Sequence, residues 1–308
     1  MWGEVGLLVV GVVVLVTAAD RMVLATAGLA RRWGISPVVV GALIIGFGSS
    51  LPEMLVSVLA LDQPNGLDLA VGNAIGSNIA NISLVLAISV LFFPISGQAG
   101  VIKREGVVML LAMALVAVLL WDLHLSVSEA LVLLVGLGVA SIAVLRWSVG
   151  SKDVIAEEIP DPKSIGRLIV EAVLGLVALV GGARAMVLGA ESIALELGLA
   201  EGVVGLTILA LGTSLPELGT SLASARRGHN DLILGNVLGS NIFNALAVVG
   251  ASGALGPGAL VTDFRPDLVL MVAVAGIAGL AAWSGDRLRR LEGALLLAAY
   301  PVAVALAL

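Results

Sequence analysis

The chain contains a degenerate copy of itself. Displaced by 164 positions, Met22-Val23-Leu24 falls on Met186-Val187-Leu188, Gly34 on Gly198 and Gly41 on Gly205. The same shift lays Gly48-Ser49-Ser50-Leu51-Pro52-Glu53 on Gly212-Thr213-Ser214-Leu215-Pro216-Glu217. After a one-residue deletion, Gly72-Asn73-Ala74-Ile75-Gly76-Ser77-Asn78-Ile79-Ala80-Asn81 meets Gly235-Asn236-Val237-Leu238-Gly239-Ser240-Asn241-Ile242-Phe243-Asn244. Beyond these segments the halves agree in hydropathy only. A fold for this chain must therefore give two related halves and put the same polar residues at equivalent places in each.

The medium comes from composition. Of 308 residues, 59% are hydrophobic and 12% charged, too few to cover a water-facing surface, so the solvent is largely lipid. Cutting at charge and turn clusters predicts ten spans, centred on 5–30, 37–60, 68–93, 105–121, 127–146, 166–196, 201–224, 231–254, 267–283 and 291–307. Met1-Trp2-Gly3-Glu4 lacks a basic start, so the first span reads as a retained helix rather than a signal peptide. One set of alternate loops holds Arg31, Arg32, Lys103, Arg104, Arg146, Lys152, Lys163, Arg167, Arg226, Arg227, Arg287, Arg289 and Arg290. The opposite set holds Asp62, Asp68, Asp122, Glu196, Glu201, Asp263 and Asp267, with Arg265 as its basic residue. The positive-inside rule places the first set in the cytoplasm and both termini outside. All five tryptophans (Trp2, Trp33, Trp121, Trp147, Trp283) fall at span ends, as an aromatic belt would.

The expected architecture is an all-α polytopic membrane protein with two five-helix repeats, 1–148 and 165–308, joined by a cytoplasmic linker, 149–164. The second and third helices, and the seventh and eighth, are expected to be broken. Five spans per half is an odd number, so the second half enters the membrane with opposite polarity. Inverted repeats with interrupted helices at matching positions point to a substrate site at the midplane. Duplication kept only for close packing would not require the same polar residues at the same depth in both copies.

The chemistry of that site follows from the breaks. Pro52 has no amide proton and disfavours helix at Leu51, so the second helix should break near Gly48–Leu51, with Ser49, Ser50 and Glu53 beside it. Freed carbonyls at membrane depth need a cavity or a ligand. The next helix offers Ser77 and Asn81 on one face, and the second half repeats the set with Thr213, Ser214, Glu217, Ser240 and Asn244. These are carboxylate, hydroxyl and amide oxygens without imidazole or thiolate, the ligand chemistry of hard cations such as calcium and sodium. The chain has no cysteine. Its net charge of −6 and the lack of a phosphate-reading basic patch argue against nucleic acid. No Arg, Lys or His stands in the repeated motifs, which argues against a phosphate-handling membrane enzyme.

At these motifs the sequence resembles the calcium/cation antiporter superfamily, in its prokaryotic sodium/calcium exchanger branch. The resemblance implies a transporter without cofactor in a prokaryotic plasma (inner) membrane, with calcium and sodium as transported ions. It implies that Glu53 and Glu217 are the central calcium ligands, helped by the carbonyls of Ser49 and Thr213. Ser50, Ser77, Ser214 and Ser240, with the carbonyls of Gly46 and Ala210, would form flanking sodium sites, and Asn81 and Asn244 would close the middle. The first and sixth helices would be a long tilted pair that slides across the core. Exchangers of this kind often carry an aspartate at one of the positions matched by Asn81 and Asn244. Here both are amides, which leaves stoichiometry open. The rival within the same architecture is a proton-coupled antiporter for calcium or another divalent cation. Asp20, Arg21, Arg184 and Glu191 are charged at or near membrane depth; an Asp20–Arg184 pair across the halves, a local pair or snorkelling to water are all compatible with the sequence.

Overall fold

The computed structural model describes residues 2–96, 99–148, 163–197, 210–285 and 287–307, and most of these residues are helical. The first helix, α1 (Trp2–Trp33), ends at Gly34, whose φ of +63° lies in the left-handed region that favours glycine. Ser36 then caps the next helix, accepting from the Val38 amide at 3.3 Å, and Pro37 fills its first turn.

That second helical run consists of α2 (Pro37–Val40), a wide π turn at Gly41–Gly46, α3 (Phe47–Ser49) and α4 (Leu51–Ala60). The third joins α5 (Gly66–Ala80), a π turn at Asn81–Leu86 and α6 (Ala87–Phe92). Next come α7 (Ala99–Val101), a π turn at Ile102–Gly106 and α8 (Val107–Leu119), then α9 (Val127–Ser148) and α10 (Ile165–Glu196). The remaining elements are α11 (Ala210–Thr213), α12 (Leu215–Arg226), and α13 (Asn230–Phe243) with a π turn at Asn244–Val248 and α14 (Val249–Leu255). α15 (Arg265–Gly285) and α16 (Arg290–Ala307) complete the chain.

Among the described residues, seven helical runs are long and apolar enough to cross a membrane, against the ten spans expected. The other three expected spans have identifiable features. The run through α8 opens on Lys103, Arg104 and Glu105, which leaves 13 residues in α8 itself. The run through α12 adjoins 198–209, outside the described residues along with most of the expected linker. The last helix has 18 residues, with Arg290 and Glu292 in its first turn. The breaks also differ from expectation. The second and seventh runs are interrupted, whereas the third and eighth continue through a π turn. Trp33, Trp121 and Trp147 stand exposed near helix ends, as a belt requires.

Burial sorts the helices. In the run Asn230–Leu255, 94% of the apolar window is buried, against 22% in α9 and 33% in α1. The eighth run is therefore the axis of the core, and α1, α9 and α10 lie at its margin. The outward faces of α1 and α10 carry exposed Val9, Val10, Val13, Val173, Leu174 and Val177, a surface suited to acyl chains.

Short pairings tie the loops. β1 (Ile95–Ser96) runs antiparallel to β4 (Arg287–Leu288), and β2 (His124–Leu125) to β3 (Gly258–Ala259). The Asp68 carboxylate accepts from the amides of Val261 and Thr262, the latter at 2.6 Å, and Arg265 donates to the Trp121 carbonyl at 2.9 Å. Arg32 donates to the Lys163 carbonyl at 2.8 Å.

α1 and α10 pack backbone to backbone. A Cβ on Gly182 would lie 2.7 Å from the Leu15 nitrogen, and one on Gly189 would lie 2.8 Å from the Leu8 nitrogen. Against the core the same pair meets mostly side chains: Leu15, Met22 and Leu179 pack with Ile45, Ala223 and Leu232. A polar link also crosses that boundary. Arg227, just past α12, grips Asp20 of α1 with two nitrogens at 2.8 and 2.6 Å. Asp20 thus pairs across the halves with Arg227 rather than with Arg184.

Two adjacent glycines test the close packing of the long pair. A Cβ on Gly181 would meet no described atom within 4 Å, whereas one on Gly182 would meet backbone. Gly181→Ala should therefore leave stability unchanged or raise it by up to about 1 kcal/mol. Gly182→Val should lower it by about 1–3 kcal/mol through overpacking. Thermal unfolding in detergent reads both.

Candidate ion-binding site

The two interruptions are near copies of each other. Ser50 breaks the second run at φ −89°, ψ 5°, and Ser214 breaks the seventh at φ −86°, ψ 3°. In both, the proline follows within the first turn, where its missing amide costs nothing, and the glutamate stands one residue beyond it. The break falls within the expected Gly48–Leu51 window. Its effect is to turn Glu53 and Glu217 into the protein, with side chains 1% and 0% exposed.

The helices that face these breaks supply the amides. Asn81 and Asn244 are each the first residue of a π turn, a distortion that adds a residue to the helical turn and is frequent at functional sites. Both side chains are buried, and neither the oxygen nor the nitrogen of either has a hydrogen-bond partner among the described residues. The same holds for one oxygen (Oε2) of each glutamate and for the Ser214 hydroxyl. Orphaned buried polar atoms are rare and costly, and they cluster here in matched pairs from the two halves. Unpartnered carboxylate, amide and hydroxyl oxygens fit a hard cation.

The remaining expected residues divide between liganding distance and support. Ser50 donates to Glu217 Oε1 at 3.1 Å, a contact between halves. Ser240 and Ser49 both donate to the Gly46 carbonyl, at 3.0 and 3.3 Å, so that carbonyl is already engaged. Ser77 is buried beside Asn81 on its helix. Thr213 ends α11 with partial burial, and Ala210 opens it. Hydrogen bonds thus link Ser49, Ser50 and Gly46 of the first half with Glu217 and Ser240 of the second.

Two residues outside the expected set hold the breaks in place. Asn73 donates to the Glu53 carbonyl at 3.2 Å and to the Ser57 hydroxyl at 3.0 Å. Asn236 does the same in the second half, reaching the Glu217 carbonyl at 3.1 Å, Thr220 at 3.0 Å and Ser221 at 2.8 Å. The signal that could have found them is their place in the repeat, one position after the glycine of Gly-Asn-x-x-Gly-Ser-Asn in both halves.

Glycines let the helices approach. A Cβ on Gly46 would fall 2.8 Å from the Asn236 carbonyl oxygen and from the Ser240 nitrogen, so the π turn of the second run lies directly on α13. Gly235 and Gly239 likewise face the backbone of Val38–Ala42, as the small-residue spacing predicts. In the first half, Gly72 meets the Phe264 ring instead and Gly76 has no described atom within 4 Å. The segment that the repeat would lay there falls in 198–209, outside the described residues.

Comparison with known proteins agrees with this arrangement. The family model described as "Sodium/calcium exchanger protein" matches residues 3–146 and 168–308. Inner membrane protein YrbG of Escherichia coli K12 is 34% identical over 286 residues, spanning 90% of this chain and 88% of that one. Sodium/calcium exchanger MaX1 of Methanosarcina acetivorans is 28% identical over 336 residues, spanning 96% and 95%. The solved structure of the sodium-calcium exchanger NCX_Mj superposes with a TM-score of 0.86 at 32% identity, covering 98% of this chain and 97% of that chain. The chain belongs to the sodium/calcium exchanger protein family and is a membrane cation antiporter of the prokaryotic type.

Proposed function

We propose that this protein exchanges calcium for sodium by alternating access at a midplane site built from two inverted five-helix repeats. The observation that carries the reading is the pair of buried glutamates, one from each repeat, each with an oxygen that no described residue satisfies. Two carboxylates balance one calcium ion or two sodium ions, and the surrounding hydroxyls, amides and carbonyls can complete either shell. Asn81 and Asn244 add donor capacity without charge, so a third sodium ion would leave the loaded site positive. Exchange of three sodium for one calcium would then move charge across the membrane.

The loop pairings accord with ten spans whose alternate loops share a face, and the distribution of basic residues puts both termini outside. With that topology, β1 and β4 both lie on the cytoplasmic side, as do Arg32 and Lys163. β2 and β3, Asp68 and Thr262, and Arg265 and Trp121 all meet on the outside. Each of these contacts joins loops assigned to the same face. A plasma-membrane location accords with the Escherichia coli relative, described as an inner membrane protein.

Reconstitution into sodium-loaded liposomes tests the proposal. Radiolabelled calcium should enter on dilution into sodium-free medium at constant pH, and should not enter when sodium is matched across the membrane. Uptake that ignores sodium and follows an imposed pH gradient would transfer the site to proton-coupled exchange. Glu53→Gln and Glu217→Gln should each abolish exchange while the purified protein keeps its elution profile, because each removes one of two counter-charges. Asn236→Ala should remove the bond that ties the Glu217 carbonyl to the next helix and leave Thr220 as its side-chain donor, at a cost of about 0.5–1.5 kcal/mol. Calcium exchange should fall about tenfold or more, the kinetic equivalent of 1.4 kcal/mol, with a smaller loss for Asn236→Ser, which keeps a hydroxyl donor.

A further inference from the structure

Away from the ion site, an apolar cleft of about 270 Å³ opens between α8 and α15. Its floor is Ile82 and Leu86 of the third run and Leu234, Val237 and Leu238 of α13, the helices that also carry Asn81, Asn236 and Ser240. Val107 and Leu280 line it and are 41% and 66% exposed, so the cleft opens outward from the helix bundle. Its depth is not set by packing within the protein. Gly276 and Gly279 line the cleft, and a Cβ at either would meet no described atom within 4 Å. Each glycine costs a helix interior roughly 1 kcal/mol relative to alanine. Alanine would fit at both, so the space they leave is available to something outside the chain.

The cleft also has a polarity along the membrane normal. From Ile102 to Leu110 it runs about 12 Å at 1.5 Å per residue, close to the ~15 Å of hydrocarbon in one leaflet. Its end at Ile102 and Leu288 is flanked in the chain by exposed Lys103, Arg104 and Arg287, with Arg289 and Arg290 following. Three acids are close in sequence, of which Asp286 lies outside the described residues. Glu105 is turned inward at 4% exposure, 4.0 Å from the Arg104 guanidinium, and Glu292 accepts from the Arg289 amide. The exposed charge at this mouth is therefore mainly positive, and basic clusters at the cytoplasmic face attract anionic lipid headgroups.

We propose that the α8–α15 cleft is a binding site for an anionic phospholipid of the cytoplasmic leaflet, one acyl chain lying along Gly276 and Gly279 and the phosphate facing Lys103, Arg104 and Arg287. The occupant is a lipid rather than a soluble amphiphile because the cleft opens along its side to the bilayer and is one leaflet deep. The site rests on the cytoplasmic placement of this end proposed above, and its test reads no ion flux, so either proposal can fail alone.

Native mass spectrometry of the detergent-purified protein, titrated with phosphatidylglycerol or phosphatidylcholine of equal chain length, gives the affinity of the first bound lipid. Phosphatidylglycerol should bind about fivefold tighter or more. Gly279→Leu, which fills the cleft with a better helix former, should weaken phosphatidylglycerol about tenfold without lowering the melting temperature. Arg104→Gln with Arg287→Gln should erase the difference between the two lipids and leave phosphatidylcholine binding as it was. Wild-type affinity for phosphatidylglycerol in Gly279→Leu would overturn the chain site, and a wild type indifferent to headgroup would overturn the phosphate site. A Gly279→Leu protein that melts earlier would show that the glycine serves internal packing, which also overturns the proposal.

Discussion

A carboxylate at the centre of a bilayer is tolerable only when a counter-charge or a proton accompanies it, and this fold buries two from opposite halves of the chain. Much of the surrounding structure follows from that cost. The helices that bring the glutamates inward must stop and restart, and they do so at Ser50 and Ser214 with backbone angles that agree within a few degrees. Just past each break, Asn73 and Asn236 reach across from the neighbouring helices to the carbonyls of Glu53 and Glu217 and tie the restarted helices down. The amides that look into the same space sit on π turns, where the helix is already widened. No described basic side chain pairs with either glutamate, so the compensation has to come from a bound cation or a proton.

Much of this is legible in the sequence. Proline two residues after serine and one before glutamate, twice, locates both breaks, because proline constrains the residue before it whatever the surroundings. The oxygen-rich ligand set is legible for the same reason: polar residues repeated at one membrane depth have few structural excuses. The π turns are not legible, since a one-residue widening leaves no mark in a hydropathy pattern. Nor is the grip of Arg227 on Asp20, two residues 207 positions apart that the repeat does not align. Asn73 and Asn236 stand in plain view within the motif, but each acts through its amide nitrogen on a backbone oxygen, and only the packing of adjacent helices reveals it.

The two halves are alike in plan but not in contact. Ser50 of the first repeat donates to Glu217 of the second, while Ser214, its counterpart, has a buried hydroxyl with no partner among the described residues. Beyond Glu217, α12 continues with the hydroxyls of Thr220, Ser221 and Ser224, all fully buried. The equivalent stretch of α4 reads Val56, Ser57 and Ala60. The helix after the Ser214 break is therefore richer in buried hydroxyls than the helix after the Ser50 break.

The Asp20–Arg227 grip gives this asymmetry a mechanical side. α1 and α10 touch through bare backbone, and the Asp20–Arg227 pair fastens α1 to the core a little past its middle. Asp20 corresponds in the repeat to Arg184, and Arg227 to a stretch around Gln63, so inverting the structure does not regenerate the fastening. Where the backbone plan repeats, this ion pair does not, so charge ties the two halves to their surroundings unequally.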